Sequence, residues 1–553
     1  MKKLLLILFV FTGVVGYAAS IKISKHNLSS SGPGSVTATT ETEICIFCHT
    51  PHNASTVAPL WNRYDSGATY TLYNSSTTKA SIGQPTGSSK LCLSCHDGTV
   101  ALGMVRSRSV NITLNSGVTT MPVGAGNLGT DLSDDHPVSF AYNAALVSAN
   151  GQLNSPPASG PVHLDAANNV QCSSCHDPHD PQYGSFLVMN NTASALCITC
   201  HKMTYWSATS HSTSSTTWNG AGTNPWFHTT NLTTVAANAC ENCHDPHSAA
   251  GKARLMNYAA EEQNCYSCHN GNAAAKNVQS DFSKASIHPV ALTTGTHDPT
   301  EATLVPSATG HHVECADCHN PHAANTTTNS VAGGATGALI GVAGINASGS
   351  AITTVTYEYE LCFRCHADTA KGPGYVTRQY PNLNTRQEFQ NLNGTNSFHP
   401  VVLVGRGADV PSLKSPWTTA SKMGCTDCHN SNTSPAAGGT GANGPHGSTV
   451  APILERAMNL ADTATTVANA ALCDKCHTFV NTAFPGHTTH NGFTSCTTCH
   501  DPHGSPNKHL INMNTTVVSA RSGVLSYTST GTRHGYCTIV CHGEQHGSGD
   551  HNY

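Results

Sequence analysis

Every cysteine in this 553-residue chain stands in a pair, and every pair is followed at once by histidine. In chain order the pairs are Cys45/Cys48 with His49, Cys92/Cys95 with His96, Cys172/Cys175 with His176, and Cys197/Cys200 with His201. They continue as Cys240/Cys243 with His244, Cys265/Cys268 with His269, Cys315/Cys318 with His319, and Cys362/Cys365 with His366. The last four are Cys425/Cys428 with His429, Cys473/Cys476 with His477, Cys496/Cys499 with His500, and Cys537/Cys541 with His542. Two residues separate the cysteines of each pair except the last, where Thr538, Ile539 and Val540 make three. First cysteines recur at intervals of 23 to 80 residues.

C-x-x-C-H is the attachment pattern of c-type haem. Two thiols reach the two vinyl groups on one edge of a porphyrin, and the adjacent imidazole turns in under the ring to the iron. A single C-x-x-C in an exported chain could serve as a disulfide, a zinc site or a thiol redox site. None of these asks for histidine after every second cysteine. Histidine is only 34 of 553 residues, so twelve adjacent histidines are not chance. The sequence therefore implies haem c, twelve copies, covalently bound, with the histidine of each motif as proximal ligand.

Composition agrees. Only 10% of residues are charged and 6% aromatic, too few large side chains for an ordinary core in a chain this long. The 24 Cys and 34 His point to a core supplied by haem instead of disorder. The formal charge is −5, with no basic patch, which argues against nucleic acid. Ionised propionates would take the loaded protein further negative.

Twelve proximal histidines leave 22. A haem that only carries electrons takes two strong axial ligands, and the nine Met show no pattern relative to the motifs. The spare histidines do. His52, His179, His247, His322 and His503 each follow an attachment histidine by three residues, with Pro between. The porphyrin plane separates the two axial sites of one iron, so such a histidine reaches a neighbouring haem. His136, His288 and His399 each precede Pro-Val, which holds them extended. His211, His312, His446 and His490 stand where the remaining haems need ligands, with His26 and His228 as competitors. These are fourteen distal candidates for twelve places. His163, His297, His311, His487, His509 and His534 stay open between ligation and a surface or hydrogen-bonding role. The tail residues His546 and His551 read as metal-binding or solvated. The ninth motif departs from the rest, because His429 is followed by Asn430-Ser431-Asn432; a ligand is needed from elsewhere, with His446 a candidate.

Residues 1–19 read as a signal peptide. Lys2 and Lys3 open it, Leu4 to Val15 are apolar, and cleavage falls after Ala18 or Ala19. The apolar run is too short for a bilayer span, and no later segment is long enough. The expectation is an exported protein without a membrane span, periplasmic or at the cell surface. About 45 residues serve each haem, a size that needs a staple to fold. The predicted fold class is therefore mostly irregular, with short α-helices at the attachment motifs and very little β-structure. A closely packed chain of covalent haems organises it, and the haem-free chain is expected to be largely unfolded. Ala351 to Glu360 alternates like one hairpin strand. Segments 325–350 and 430–449 read as low-complexity surface loops. A Ser/Thr/Gly stretch at 212–222 suggests a boundary.

The chain resembles the multihaem c-type cytochromes with doubled CXXCH motifs found in metal-respiring bacteria. The residues that carry this are Cys45-Ile46-Phe47-Cys48-His49-Thr50-Pro51-His52, Asp135-His136-Pro137-Val138, and Cys-x-x-Cys-His-Asp-Pro-His at Cys172, Cys240 and Cys496. On that resemblance, 20–213 is similar to a tetrahaem cytochrome and 214–553 to an appended octahaem part. It implies low-potential haems with two histidine ligands, passing electrons to other redox proteins or to extracellular acceptors such as minerals and electrodes. It also implies a possible homo-oligomer or conductive filament, in which His26 would ligate a neighbouring subunit's haem. The reading is an electron carrier and no enzyme. The alternative is a multihaem oxidoreductase of the nitrite, hydroxylamine or tetrathionate type with one open iron. No motif ends in Lys and spare histidines outnumber the motifs, both of which count against it.

Overall fold

A computed structural model describes residues 20–553 apart from 56–57, 227–230, 291–312, 369–375, 382–383, 391, 393, 408, 479–484, 532–533 and 549–553. The expected leader 1–19 lies outside these, as do the candidate ligands His228 and His312 and the spare His297, His311 and His551. Two compact units emerge. The first joins 1–203 with 244–256, and the second joins 204–243 with 257–553. The division runs between Cys243 and His244.

Most of the described chain is irregular, and its short helices coincide with the attachment motifs. Eleven motifs lie on one or two helical turns, from Cys45–Phe47 and Gly87–His96 through Glu261–His269 and Glu358–His366 to Cys496–Cys499. The reason is spacing. Cysteines three apart share a helical face, and the turn closes when the histidine N–H donates to the first cysteine's carbonyl. That bond measures 2.8 Å at His49, 2.9 Å at His201, 2.9 Å at His477 and 2.9 Å at His500. The twelfth motif is the exception and lies on a strand.

Strands are short. Phe140–Ala141 pairs with Asn169–Val170, Ser286–Ile287 with Gly447–Ser448, Gly344–Ile345 with Ala351–Ile352, and Ser397–Phe398 with Gly504–Ser505, all antiparallel. The larger sheet is C-terminal and joins Val518–Ser519, Ser526–Gly531, His534–Cys541 and Glu544–His546. The strand expected over 351–360 shrinks to Ala351–Ile352, because Glu358 opens the helix that carries the eighth motif, with the Glu360 carboxylate accepting from the Tyr357 N–H at 2.9 Å. Among the described residues no helix is long and apolar enough to cross a membrane.

Apolar side chains gather in small clusters, each built on an attachment segment. Ile46 and Phe47 pack with Ala38, Leu102 and Leu114. Leu93 packs with Tyr70 and Leu132, and Tyr359 and Phe363 pack with Phe389, Val401, Val402 and Met423. Ile511, Met513 and Val518 enclose Cys537 and Ile539. Segment 430–449 is a surface loop only in part, with Pro435, Ala436 and Gly438 to Thr440 exposed. Asn430, Ser431, Ser434 and Ser448 are buried, held by side-chain bonds such as Ser431 Oγ to Asp281 Oδ1 at 3.0 Å.

Candidate haem-binding sites

Among the described residues, ten attachment imidazoles face a second imidazole at nearly constant distance. In the first unit the pairs are His49–His179, His96–His26, His176–His247 and His201–His136, with ring centroids 6.1, 6.1, 6.1 and 6.3 Å apart. In the second they are His269–His211 at 6.2 Å, His319–His446 at 6.0 Å, His366–His288 at 6.1 Å, His429–His503 at 6.3 Å, His477–His399 at 6.3 Å and His500–His487 at 6.1 Å. The interplanar angles meanwhile range from 12° at His49–His179 to 87° at His211–His269. Ordinary ring packing does not behave this way. The other ring pairs spread from 4.1 Å at His26–Phe186 through 5.2 Å at Tyr359–Phe363 to 6.2 Å at Trp206–His322. Fixed separation with free rotation is what two imidazoles on opposite sides of one metal give. At a metal–nitrogen distance of about 2.0 Å, each centroid stands about 3.1 Å from the metal and the two about 6.2 Å apart. The residues fit haem iron with two histidine ligands.

Seven of the attachment rings are aimed by their other nitrogen, His477 through the Ser412 hydroxyl at 2.9 Å and six through carbonyls. Among attachment histidines, Nδ1–H donates to the carbonyl of Gly126 (from His96, 2.6 Å), Ser185 (His176, 2.8 Å), Arg254 (His244, 2.8 Å), Ala338 (His319, 2.9 Å), Pro452 (His429, 3.1 Å) and His509 (His500, 2.8 Å). That bond fixes the tautomer and turns Nε2 toward the partner ring. Loops after the third, fifth and eleventh motifs repeat one shape to supply it. Ser185-Phe186, Arg254-Leu255 and His509-Leu510 all have positive φ, between 43° and 61°. Such backbone costs about 1–2 kcal/mol per residue and persists where surroundings impose it.

The partner histidines are held two at a time. His26 donates from Nδ1 to the carbonyl of Pro178 at 2.9 Å, His211 to Pro321 at 2.8 Å, His288 to Pro445 at 2.7 Å, and His399 to Pro502. Each of these prolines precedes another candidate ligand: His179, His322, His446 or His503. For His136 the backbone N–H makes the link, to the Pro246 carbonyl before His247, at 2.9 Å. The two-residue strands do the same job. Ile287 lies opposite Gly447, which brings His288 beside His446, and Phe398 opposite Gly504 brings His399 beside His503. His247 donates to a buried carboxylate, Asp135 Oδ1, at 2.8 Å, whereas the Asp177 Oδ1 that meets His179 Nδ1 at 3.2 Å is exposed.

Burial keeps these rings neutral and able to present a lone pair. It holds His201, His269, His366, His446 and His477 down to about 4 and His500 to about 3, with neighbouring histidines adding to the effect. His247 runs the other way; burial lowers it, but the Asp135 carboxylate outweighs that and raises it.

The cysteines order the sites. Burial and then Cys95 push the Cys48 thiol up to about 12. Cys92 hydrogen-bonds Cys172, and Cys200 acts on Cys175. In the second unit the thiols of Cys243 and Cys268, Cys265 and Cys315, Cys318 and Cys362, Cys362 and Cys425, Cys428 and Cys476, Cys473 and Cys496, and Cys499 with Cys537 and Cys541 are near enough to shift one another. Attachment sites one to four and five to twelve therefore adjoin in chain order within each unit.

The remaining candidates fall as follows. His52 is exposed, and its ring meets no attachment imidazole among the described residues. His322 stands edge-on to Trp206 at 6.2 Å. His26, read above as a ligand for a neighbouring subunit, instead faces His96 of its own chain. His446 serves the seventh motif and His503 the ninth. His487, left open by the sequence, faces His500; its place three residues before His490 on Pro485–His490 was the available signal. His490 faces His546 at 6.0 Å. The proximal residue expected at the last motif, His542, instead pairs its Nε2 with Asp462 Oδ2 at 3.0 Å, because it sits in a turn beyond the strand.

Residues 163–204, 233–274 and 487–518 match the family described as Doubled CXXCH motif. These stretches hold the third and fourth, the fifth and sixth, and the eleventh motifs. No curated protein matches the chain. The matches and the paired imidazoles together support a multihaem c-type cytochrome.

Proposed function

We propose that this chain is a dodecahaem electron carrier, exported from the cytoplasm, that conducts electrons along haems with two histidine ligands in periplasmic or extracellular respiration. Minerals, electrodes or partner redox proteins are the acceptors. The observation that carries the reading is the constant 6.0–6.3 Å between ten pairs of imidazoles at variable angle. Bound haem supplies a one-electron couple. The chain's own imidazole pairs would hold the iron, many of them oriented through Nδ1 and most of them buried away from water. Such an environment favours electron exchange over substrate binding, because little ligand reorganisation accompanies the change of charge. The adjoining cysteines support a path through neighbouring sites within each unit.

The test is an intact-mass haem count with a low-temperature electron paramagnetic resonance spectrum of the holoprotein. Twelve haems, all low-spin, are expected. A persistent high-spin haem that binds nitrite or hydroxylamine and turns it over would replace the carrier reading with an enzymatic one.

A further inference from the structure

The last motif breaks every habit of the other eleven. Its cysteines lie on the strand His534–Cys541 and on no helical turn. Parity explains the extra residue. On a strand, side chains alternate between faces, so cysteines three apart would point opposite ways. Cysteines four apart share a face. Cys537, Ile539 and Cys541 therefore project together, and Cys537 and Ile539 are buried against Ile511, Met513 and Val518. Burial, then Cys541, pushes the Cys537 thiol up to about 12, so the two thiols are near enough to interact.

His542 leaves that face. With Gly543 it forms the two-residue turn from Cys541 to Glu544, at φ 52° and 83°. Two successive positive φ values are those of the tight hairpin turn that matches strand twist. The chain then returns as Glu544–His546, and His546 lies directly opposite Ile539. Directly opposed residues of an antiparallel pair share a face. His546 thus projects between the two cysteines, on their side of the sheet.

The imidazoles agree. His490 ends the helix Pro485–His490 and faces His546 with ring centroids 6.0 Å apart and an interplanar angle of 43°. That separation lies within the range of the ten pairs above. His487, one turn earlier on the same helix face, faces His500 of the eleventh motif at 6.1 Å. His542 has the opposite arrangement. Its Nε2, the nitrogen that the anchored attachment histidines keep for the metal, is 3.0 Å from Asp462 Oδ2. That carboxylate is held independently, since Oδ1 accepts from the hydroxyls of Thr494 and, at 3.0 Å, Thr498.

We propose that the iron attached at Cys537/Cys541 is ligated by His490 and His546, and that His542 is a positioning residue that closes the hairpin and pins it to Asp462. This rests on haem attachment at that pair. The ligand set then comes from four residues beyond the position that the attachment motif names.

The experiment uses full-length holoprotein. Intact mass of the unsubstituted protein comes first: twelve haems are expected, and eleven would refute attachment at the last pair and the ligand assignment with it. Given twelve, His546→Met and His542→Met are compared by optical and magnetic circular dichroism spectra. In His546→Met one haem in twelve should gain the methionine-to-ferric-iron charge-transfer band, while His542→Met keeps twelve bis-histidine spectra. No such band in His546→Met, or its presence in His542→Met, overturns the proposal. Should His542→Met lose a haem by mass, because the attachment machinery reads that histidine, the band in His546→Met decides alone.

Discussion

Asp135→Asn should raise the potential of one haem, the third, and leave the others in place. Asp135 is 5% exposed, and its Oδ1 accepts from His247 Nδ1 at 2.8 Å, while His26, His211, His288 and His399 donate to neutral carbonyls. A carboxylate behind a metal-bound imidazole raises ligand basicity and favours the more positive oxidation state. The carboxylate lies roughly 7 Å from the midpoint between the His176 and His247 rings; at an effective dielectric of about 20 a unit charge there is worth about 2.4 kcal/mol. At about 59 mV per 1.36 kcal/mol this is about 100 mV for a one-electron couple. The His247 side chain is 44% exposed, so solvent screening reduces the expected shift to about 50–100 mV. Asparagine keeps the shape and the accepting oxygen, which isolates charge from geometry. Protein-film voltammetry of the holoprotein, with a haem count by mass, reads the result. A curve that superimposes on the unsubstituted protein, or a downward shift, would refute the argument.

Other substitutions separate the assignments. His487→Ala and His446→Ala should each convert one low-spin haem in twelve to high spin, whereas His52→Ala should convert none; a high-spin signal from His52→Ala alone would reverse the pairing. Acid should destabilise the holoprotein early. Burial holds His201, His269, His366, His446 and His477 below their ordinary value near 6.5 in the folded chain, and binding iron would hold them lower still, so the unfolded chain takes up protons first. Stability is then full above about pH 6.5 and falls as pH drops toward 4; a denaturation midpoint flat across that window would contradict it. Arg63 is fully buried and donates to the carbonyls of Leu102 at 2.8 Å, Ala101 at 3.0 Å and Ser94 at 3.2 Å. Arg63→Met removes all three bonds, with Ala101 alone keeping another donor in the Met104 N–H at 3.0 Å, and should lower stability by about 3–5 kcal/mol, read as an earlier thermal transition that Arg63→Lys does not restore.

The Pro-linked histidines mark the limit of local reasoning. Sequence spacing places His179, His247 and His503 on the wrong side of their own haem plane, which was enough to assign them elsewhere. The structure adds the rule that each serves the motif two places back: His179 faces His49, His247 faces His176 and His503 faces His429. The ninth motif has no such histidine to send to the seventh. Pro445-His446 takes that place, delivered by a strand pair with Ser286–Ile287. Nothing in the composition of 430–449 announces this, because Gly, Ser and Thr look the same in a solvated loop and in a buried one.

By itself, then, the sequence determined the attachment chemistry: the pairs, the adjacent imidazoles, the shortage of apolar side chains and the short helices at the motifs. These are all settled within about five residues of chain, by covalent reach and helical spacing. Only the tertiary structure decided which distant imidazole meets which, that 244–256 packs with the first unit, and that the last cysteine pair lies on a strand facing His546. Those outcomes depend on where the chain returns after tens of residues. Carbonyls of proline and two-residue strand pairs set that return, and their partners are chosen by packing and not by neighbours in sequence.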